Sequence, residues 1–238
     1  MSEGLLDTVE VCLGEPVRAA VIWLHGLGAD GHDFEPVVPR LGLAADAGIR
    51  FVFPHAPVRP VTVNGGMPMR AWYDIAGIGP GYREDLEGLD RSAAAVRALV
   101  ARESARGVPP GAIVLAGFSQ GGAVALHTAV RHPAALAGVM ALSTYLPGSG
   151  RLPREATAAS RATPILMVHG RRDPVVPFEL GEAARDALEA AGYRVEWHAF
   201  DMGHEVIPEE IRLLGRWLGR VLAGGGREPG GSDGENIE

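Results

Sequence analysis

Seven short apolar runs, at 8–13, 19–24, 50–54, 112–116, 137–142, 164–168 and 194–200, divide the chain into alternating blocks. Most are rich in Val, Ile and Leu and lack alternating polar positions, as in strands of a parallel sheet covered on both faces. Longer segments near 32–41, 84–106, 121–131, 178–191 and 208–222 read as helices. In the last of these, Ile211, Leu214, Leu218 and Leu222 recur at helical spacing. Pro208 suits its first turn, where a missing N–H costs nothing. The alternation predicts an α/β fold, a mostly parallel, doubly wound sheet of about seven strands with right-handed crossovers. Residues 54–82 and 144–164 are rich in Pro and Gly and long for plain connections, so both read as functional loops. No insertion is long enough for a large cap domain. Residues 1–222 read as a single domain, and the Gly-rich, polar segment 223–238 as a disordered C-terminal tail.

Composition narrows the function. The 238 residues are 47% hydrophobic and 21% charged, which suits one globular domain with a substantial core. Net charge is −7, and all 22 basic residues are arginine. An acidic chain without basic runs is a poor ligand for nucleic acid, and a chain without lysine has no lysine-based mechanism. Cys12 is the only cysteine, so no intrachain disulfide forms; it reads as a small core residue in a reducing compartment. The first residues do not have the form of a signal peptide, and no apolar run approaches the ~18 residues that span a bilayer. A cytoplasmic protein without stable membrane insertion is expected. No His-Glu-x-x-His, Cys-x-x-Cys, calcium loop or P-loop pattern occurs, so neither metal nor cofactor is expected.

The chemistry concentrates at Leu115-Ala-Gly-Phe-Ser-Gln-Gly-Gly-Ala123. Gly117, Ser119 and Gly121 form Gly-x-Ser-x-Gly between an apolar run and a small-residue helical run, the context of a nucleophile elbow. A serine hydroxyl is a weak nucleophile and needs a base within hydrogen-bond reach. In folds built on such an elbow the acid and then the histidine follow the serine in the chain. Asp173 lies just past the run 164–168, and His204 lies in the loop before the last helix. Both positions are at carboxyl ends of strands, where open α/β sheets gather their sites. His204 is the candidate base and Asp173 the residue that orients it. The candidate oxyanion donors are the backbone N–H groups of Gln120, just after the nucleophile, and Leu27, in the loop His25-Gly-Leu-Gly-Ala29. Because Gln120 would act through its amide, its side chain is expected to be dispensable. His25 and His55 precede the serine, and His169 lies too close to Asp173, so these three read as structural or pocket-lining.

Beyond this constellation, six segments resemble the phospholipase/carboxylesterase family, which includes acyl-protein thioesterases and small bacterial carboxylesterases. They are Val21–Phe34, Pro54–Thr62, Trp72–Ile75, Gly117–Ala123, His169–Pro177 and Met202–His204, in the family's order. The resemblance implies an α/β-hydrolase fold and hydrolysis of carboxylic esters or thioesters of short-to-medium acyl chains, without a cofactor. It implies the same triad and oxyanion donors. It also places Ile75, Ile78, Tyr145 and Val176 along an acyl channel, with tyrosine at 145 where relatives often carry tryptophan. The expected partner is a small acyl ester or thioester, and an apolar pocket rim leaves a homodimer open. Longer acyl chains, as in acyl-protein thioesterases or lysophospholipases, are the alternative. A non-catalytic ligand-binding protein on the same scaffold is the rival of another class.

Overall fold

The computed structural model describes residues 5–79 and 81–223. Strands β1 (Thr8–Leu13), β2 (Ala19–Leu24), β3 (Ile49–Pro54), β6 (Ile113–Phe118), β7 (Gly138–Leu142), β8 (Ile165–Gly170) and β9 (Val195–Phe200) form one sheet. Its order is β1-β3-β2-β6-β7-β8-β9. Only β1 runs antiparallel to its neighbour; the other pairs are parallel. This is the α/β-hydrolase arrangement. Apolar continuity tracks position in the sheet. Every residue of β2, β7 and β8 is buried, whereas the edge strands β1 and β9 are partly exposed. Cys12 sits on that first edge and is exposed, not in the core as expected, because alternate residues of an edge strand face solvent.

Helices α1 (Leu86–Ala105), α2 (Gln120–Val130), α4 (Phe178–Ala190) and α5 (Pro208–Ala223) match four of the five expected segments, and a single short turn, α3 (Leu152–Glu155), lies within 144–164. The fifth expected helix, 32–41, is only a 3-10 turn over Glu35–Arg40. Pro36 and Pro39 remove backbone donors there, so no α-helical ladder can be completed. The stretch 54–82 holds a small antiparallel hairpin, β4 (Val58–Val61) with β5 (Met67–Arg70), which was read as loop. Pro60 faces Pro68 across it. The final helix reaches Ala223, and the remainder of the expected tail lies outside the described residues. Among the described residues no helix is long and apolar enough to cross a membrane.

Every residue of α2 is buried, and this helix packs on both α1 and the central strands. A charged knot fastens α1 to the sheet edge: fully buried Glu103 accepts from Arg50 Nη1 at 2.7 Å and pairs with Arg102 and Arg106, which also reach Glu10 on β1. Removing one partner from such a buried cluster would strand an uncompensated charge. On α5, Gly215 lies so close to β2's following turn that an added Cβ would fall 1.7 Å from the Leu41 carbonyl oxygen.

Among the buried polar atoms without a partner, both oxygens of one carboxyl stand out. Glu210, in the first turn of α5, is fully buried and neither carboxyl oxygen has a hydrogen-bond partner. Desolvation pushes its pKa up to about 8. The folded-state value lies above the unfolded one, so the stability associated with the neutral acid is complete below about pH 4.5 and is lost as pH rises towards about 8. Glu210→Gln keeps the shape and removes the titration. Urea unfolding is expected to show it more stable than the parent at neutral pH by roughly 3 kcal/mol, with a difference that shrinks at acid pH. A difference independent of pH would contradict this origin.

Candidate active site

The carboxyl ends of β6, β8 and β9 bring the three candidate triad residues to one side of the sheet. Ser119 follows β6 and precedes α2, with φ 53° and ψ −119°, a conformation that L-residues rarely adopt. The neighbours force this turn. A Cβ on Gly117 would fall 2.3 Å from the Gly121 backbone, and one on Gly121 would fall 2.4 Å from the Leu24 carbonyl oxygen. The Ser119 backbone is held at both ends: its N–H donates to the Leu142 carbonyl at 2.8 Å, and its carbonyl accepts from Thr144 Oγ1 at 2.7 Å. Its hydroxyl is not spent on capping α2.

Asp173 is fixed as an acceptor. Its Oδ1 takes the Val175 and Val176 amides at 2.8 and 2.9 Å, leaving Oδ2 to accept from His204 Nδ1 at 2.7 Å. A donor at Nδ1 leaves the second ring nitrogen, Nε2, as the base. The His204 ring packs against Phe118, with ring centroids 4.7 Å apart, which sets the imidazole beside the residue preceding Ser119. The Asp173 carboxyl is inaccessible and the His204 side chain only partly exposed, which strengthens their interaction.

Both candidate oxyanion amides are free. Among the described residues, neither the Leu27 nor the Gln120 N–H donates to another protein group. The Leu27 loop is set in place by its neighbours. The Gly28 N–H donates to the Arg70 carbonyl at 2.9 Å, and a Cβ on Gly26 would lie 3.7 Å from the Ser119 Cβ. His25 accepts the Ala56 amide at Nε2, so its Nδ1–H donates to the Gly26 carbonyl at 2.7 Å. Burial pushes its pKa down and keeps it neutral in this structural role. His169 is likewise buried with its pKa lowered by desolvation, and its Nε2–H donates to the Val176 carbonyl. His55 accepts the Gly31 amide. None of the three is placed to serve the elbow as base.

The Gln120 side chain, expected to be dispensable, makes buried hydrogen bonds of its own. It is buried; its Oε1 accepts the Trp72 amide and its Nε2 donates to the Tyr73 carbonyl, both at 2.8 Å. It thereby ties the 72–73 segment to the elbow. No sequence periodicity signals this role, nor those of Thr144 and Tyr73; the Trp72–Ile75 match was the only pointer to that segment.

A cavity of about 1050 Å³ approaches the elbow only through Tyr73 and Tyr145, and neither the triad candidates nor Leu27 or Gln120 line it. Ile75, Ile78 and Tyr145, three of the four expected acyl-channel residues, line it together with Tyr73, Leu86 and Leu180. Val176 does not: it is fully buried in the Asp173 turn, with its N–H and carbonyl both engaged there. The Tyr73 and Tyr145 hydroxyls bond each other at 3.0 Å in the cavity wall, and burial raises both pKa values. Asp74, Glu84, Asp85 and Glu87 also border it, against the single cation Arg83. Among the described residues no group of three or more His, Cys, Asp or Glu side chains is arranged to hold a metal ion.

Comparison with known proteins places this geometry. The model of the phospholipase/carboxylesterase family matches residues 7–221. The chain is 37% identical over 232 residues to acyl-protein thioesterase 1 of Gibberella zeae, covering 93% of this chain and 98% of that relative. The crystal structure of Arabidopsis thaliana SOBER1 is 32% identical with a TM-score of 0.83, covering 87% of this chain and all of that one. Zea mays acyl-protein thioesterase 2 matches at a TM-score of 0.80 and 32% identity, over 91% of this chain and 99% of its own.

Gln120→Ala leaves the oxyanion amide intact but strands a buried amide and a buried carbonyl. It is expected to cost about 2–3 kcal/mol of stability and to lower kcat. Thermal unfolding beside ester hydrolysis checks this; a variant with parental melting temperature and kcat would show the side chain to be idle.

Proposed function

The chain belongs to the phospholipase/carboxylesterase family, and we propose that it hydrolyses carboxylic esters and thioesters through an acyl-enzyme formed on Ser119. The observation that carries this reading is the Asp173–His204 bond at 2.7 Å, with the His204 ring packed on Phe118, the residue before a serine held at φ 53° on its elbow.

The steps follow from the geometry. His204 Nε2 takes the Ser119 hydroxyl proton as Oγ attacks the acyl carbonyl, and Asp173 stabilises the imidazolium that results. The amides of Gln120 and Leu27 receive the charge on the tetrahedral oxygen; a single donor of this kind supplies about 3–4 kcal/mol. His204 then protonates the departing alcohol or thiol as the carbonyl re-forms. Water, activated by the same imidazole, releases the acid and restores the serine. The acyl group lies against Ile75, Ile78 and Tyr145 in the neighbouring cavity. The tyrosine hydroxyl pair and the bordering carboxylates make part of a mainly apolar wall polar, which supports short-to-medium acyl chains. Its volume, about 1050 Å³, favours a second reading in which longer chains are accepted. A single catalytic domain, with every role filled from residues 27–204, fits either reading and argues against a purely ligand-binding protein.

Ser119→Ala is expected to lower p-nitrophenyl butyrate turnover by about 10³-fold or more, to abolish fluorophosphonate labelling and to leave the melting temperature unchanged. Retained turnover in the folded variant would overturn the mechanism. Across p-nitrophenyl esters and matched acyl-CoA thioesters, kcat/KM is expected to peak between butyrate and octanoate. A peak at palmitate would favour the second reading.

A further inference from the structure

On the far side of Trp72 from the elbow, a second hollow of about 460 Å³ opens between the N-terminal segment, the β4–β5 hairpin and α1. Its size is within the about 300–1,000 Å³ range of small-molecule sites. Leu5, Leu6 and Trp72 form its apolar wall, and Ala94, Ala95 and Ala98 form its floor. The alanines fall at helical spacing with Arg91 on one face of α1, where an exposed helix surface ordinarily carries long polar side chains. Leu5 is 53% exposed at the edge. The hollow is thus a groove with an apolar bed along its length.

Its polar groups are of one sign. Arg59 and Arg91 border it, and no acidic residue does. Arg59 Nε is buried and has no hydrogen-bond partner; among the described residues Arg59 forms no ion pair within 4.0 Å, although, beside the Thr62 hydrogen bonds, its charge helps to lower the pKa of Asp74. Arg91 reaches only Glu87, at 3.9 Å, with both side chains largely exposed. A buried guanidinium donor without an acceptor is costly, and an anion placed there would satisfy it. The contrast with the acyl cavity is sharp in sign, since four carboxylates and a single cation border that one.

From an apolar bed with unpaired guanidinium at its rim, we propose that this groove binds a single-chain alkyl carboxylate, a free fatty acid, separately from the acyl cavity. The alkyl chain lies along Ala94, Ala95 and Ala98, and the carboxylate meets Arg59 and Arg91. The site adjoins the catalytic wall. Ser92 Oγ donates to the Trp72 carbonyl, while the Trp72 amide donates to Gln120 Oε1 and its indole N–H to the His25 carbonyl. An occupant therefore presses on the residue that links the oxyanion loop to the elbow.

Calorimetric titration of dodecanoate into the Ser119→Ala protein tests the proposal without turnover, so its outcome is independent of the hydrolytic reading. Saturable binding is expected. It should weaken about tenfold in Arg59→Gln and be lost in Ala98→Glu, which places a charge on the bed. Dodecyltrimethylammonium should bind about tenfold more weakly than dodecanoate or not at all. Ala98 is exposed and outside the catalytic machinery, so Ala98→Glu in the otherwise native chain should keep p-nitrophenyl butyrate turnover within about twofold, which shows that it folds. Unchanged dodecanoate affinity in both groove variants would assign the ligand to the acyl cavity and overturn the proposal. Absence of saturable binding, or equal affinity for the cationic amphiphile, would overturn it too.

Discussion

The close approach of β2, β6 and the start of α2 is the constraint on which the site depends. Leu24 pairs with Gly117 across the sheet, and Gly121 lies against the Leu24 and His25 carbonyls with no room for a side chain. Gly122 is equally confined, its Cβ position 2.9 Å from the Gly117 carbonyl and the Thr144 side chain. With three backbones in contact, the chain has one way to pass from strand to helix, and Ser119 takes the unfavourable φ that this requires. Such strain, of order 1–3 kcal/mol, persists only where the surroundings over-determine it. Here the bonds from Leu142 and Thr144 to the Ser119 backbone, and a fully buried α2, do so.

The same closeness explains how loops far apart in sequence are held to one geometry. Gln120 carries a free amide at the helix start and a buried side chain that grips Trp72 and Tyr73, while Trp72 in turn bonds the His25 carbonyl behind Leu27. One glutamine therefore couples the free amide on its own backbone to the loop that bears the free Leu27 amide. Neutral, buried His25 completes the bracket by joining Gly26 to Ala56. Three of the elements around the reacting carbonyl are thus cross-linked by hydrogen bonds that do not themselves take part in the chemistry, the form preorganisation takes in electrostatic catalysis.

Much of this was legible in the sequence, for identifiable reasons. The seven strands stood out because buried parallel strands need apolar residues on both faces, and two of the candidate triad residues, Asp173 and His204, are bonded to each other at the strand ends where chain order points to them. What escaped notice depended on tertiary contacts or on proline. Pro36 and Pro39 reduced an apparently helical segment to a 3-10 turn, and the prolines of 54–70 disguised a hairpin as a loop. Val176, placed along the channel by resemblance, is instead fully buried in the turn where its amide holds the Asp173 carboxylate. Cys12 looked like core because its strand is apolar, whereas edge position decides exposure. The grip of Gln120 on residues 48 positions earlier has no local pattern at all.

Charge then separates the two hollows that flank Trp72 and Tyr73. An acyl ester or thioester is uncharged at its reacting end, so carboxylates around the acyl cavity do not oppose its arrival. The acid formed by hydrolysis is an anion, and the same carboxylates, with the Tyr73 and Tyr145 hydroxyls kept protonated by burial, give it no counter-ion beyond Arg83. Substrate and product therefore meet different electrostatics in one cavity, a difference that favours release. The groove behind Trp72 has the opposite character, with unpaired guanidinium and an apolar bed. An acidic chain that borders an apolar hollow with two arginines and no carboxylate of its own lining has a surface suited to hold an anion.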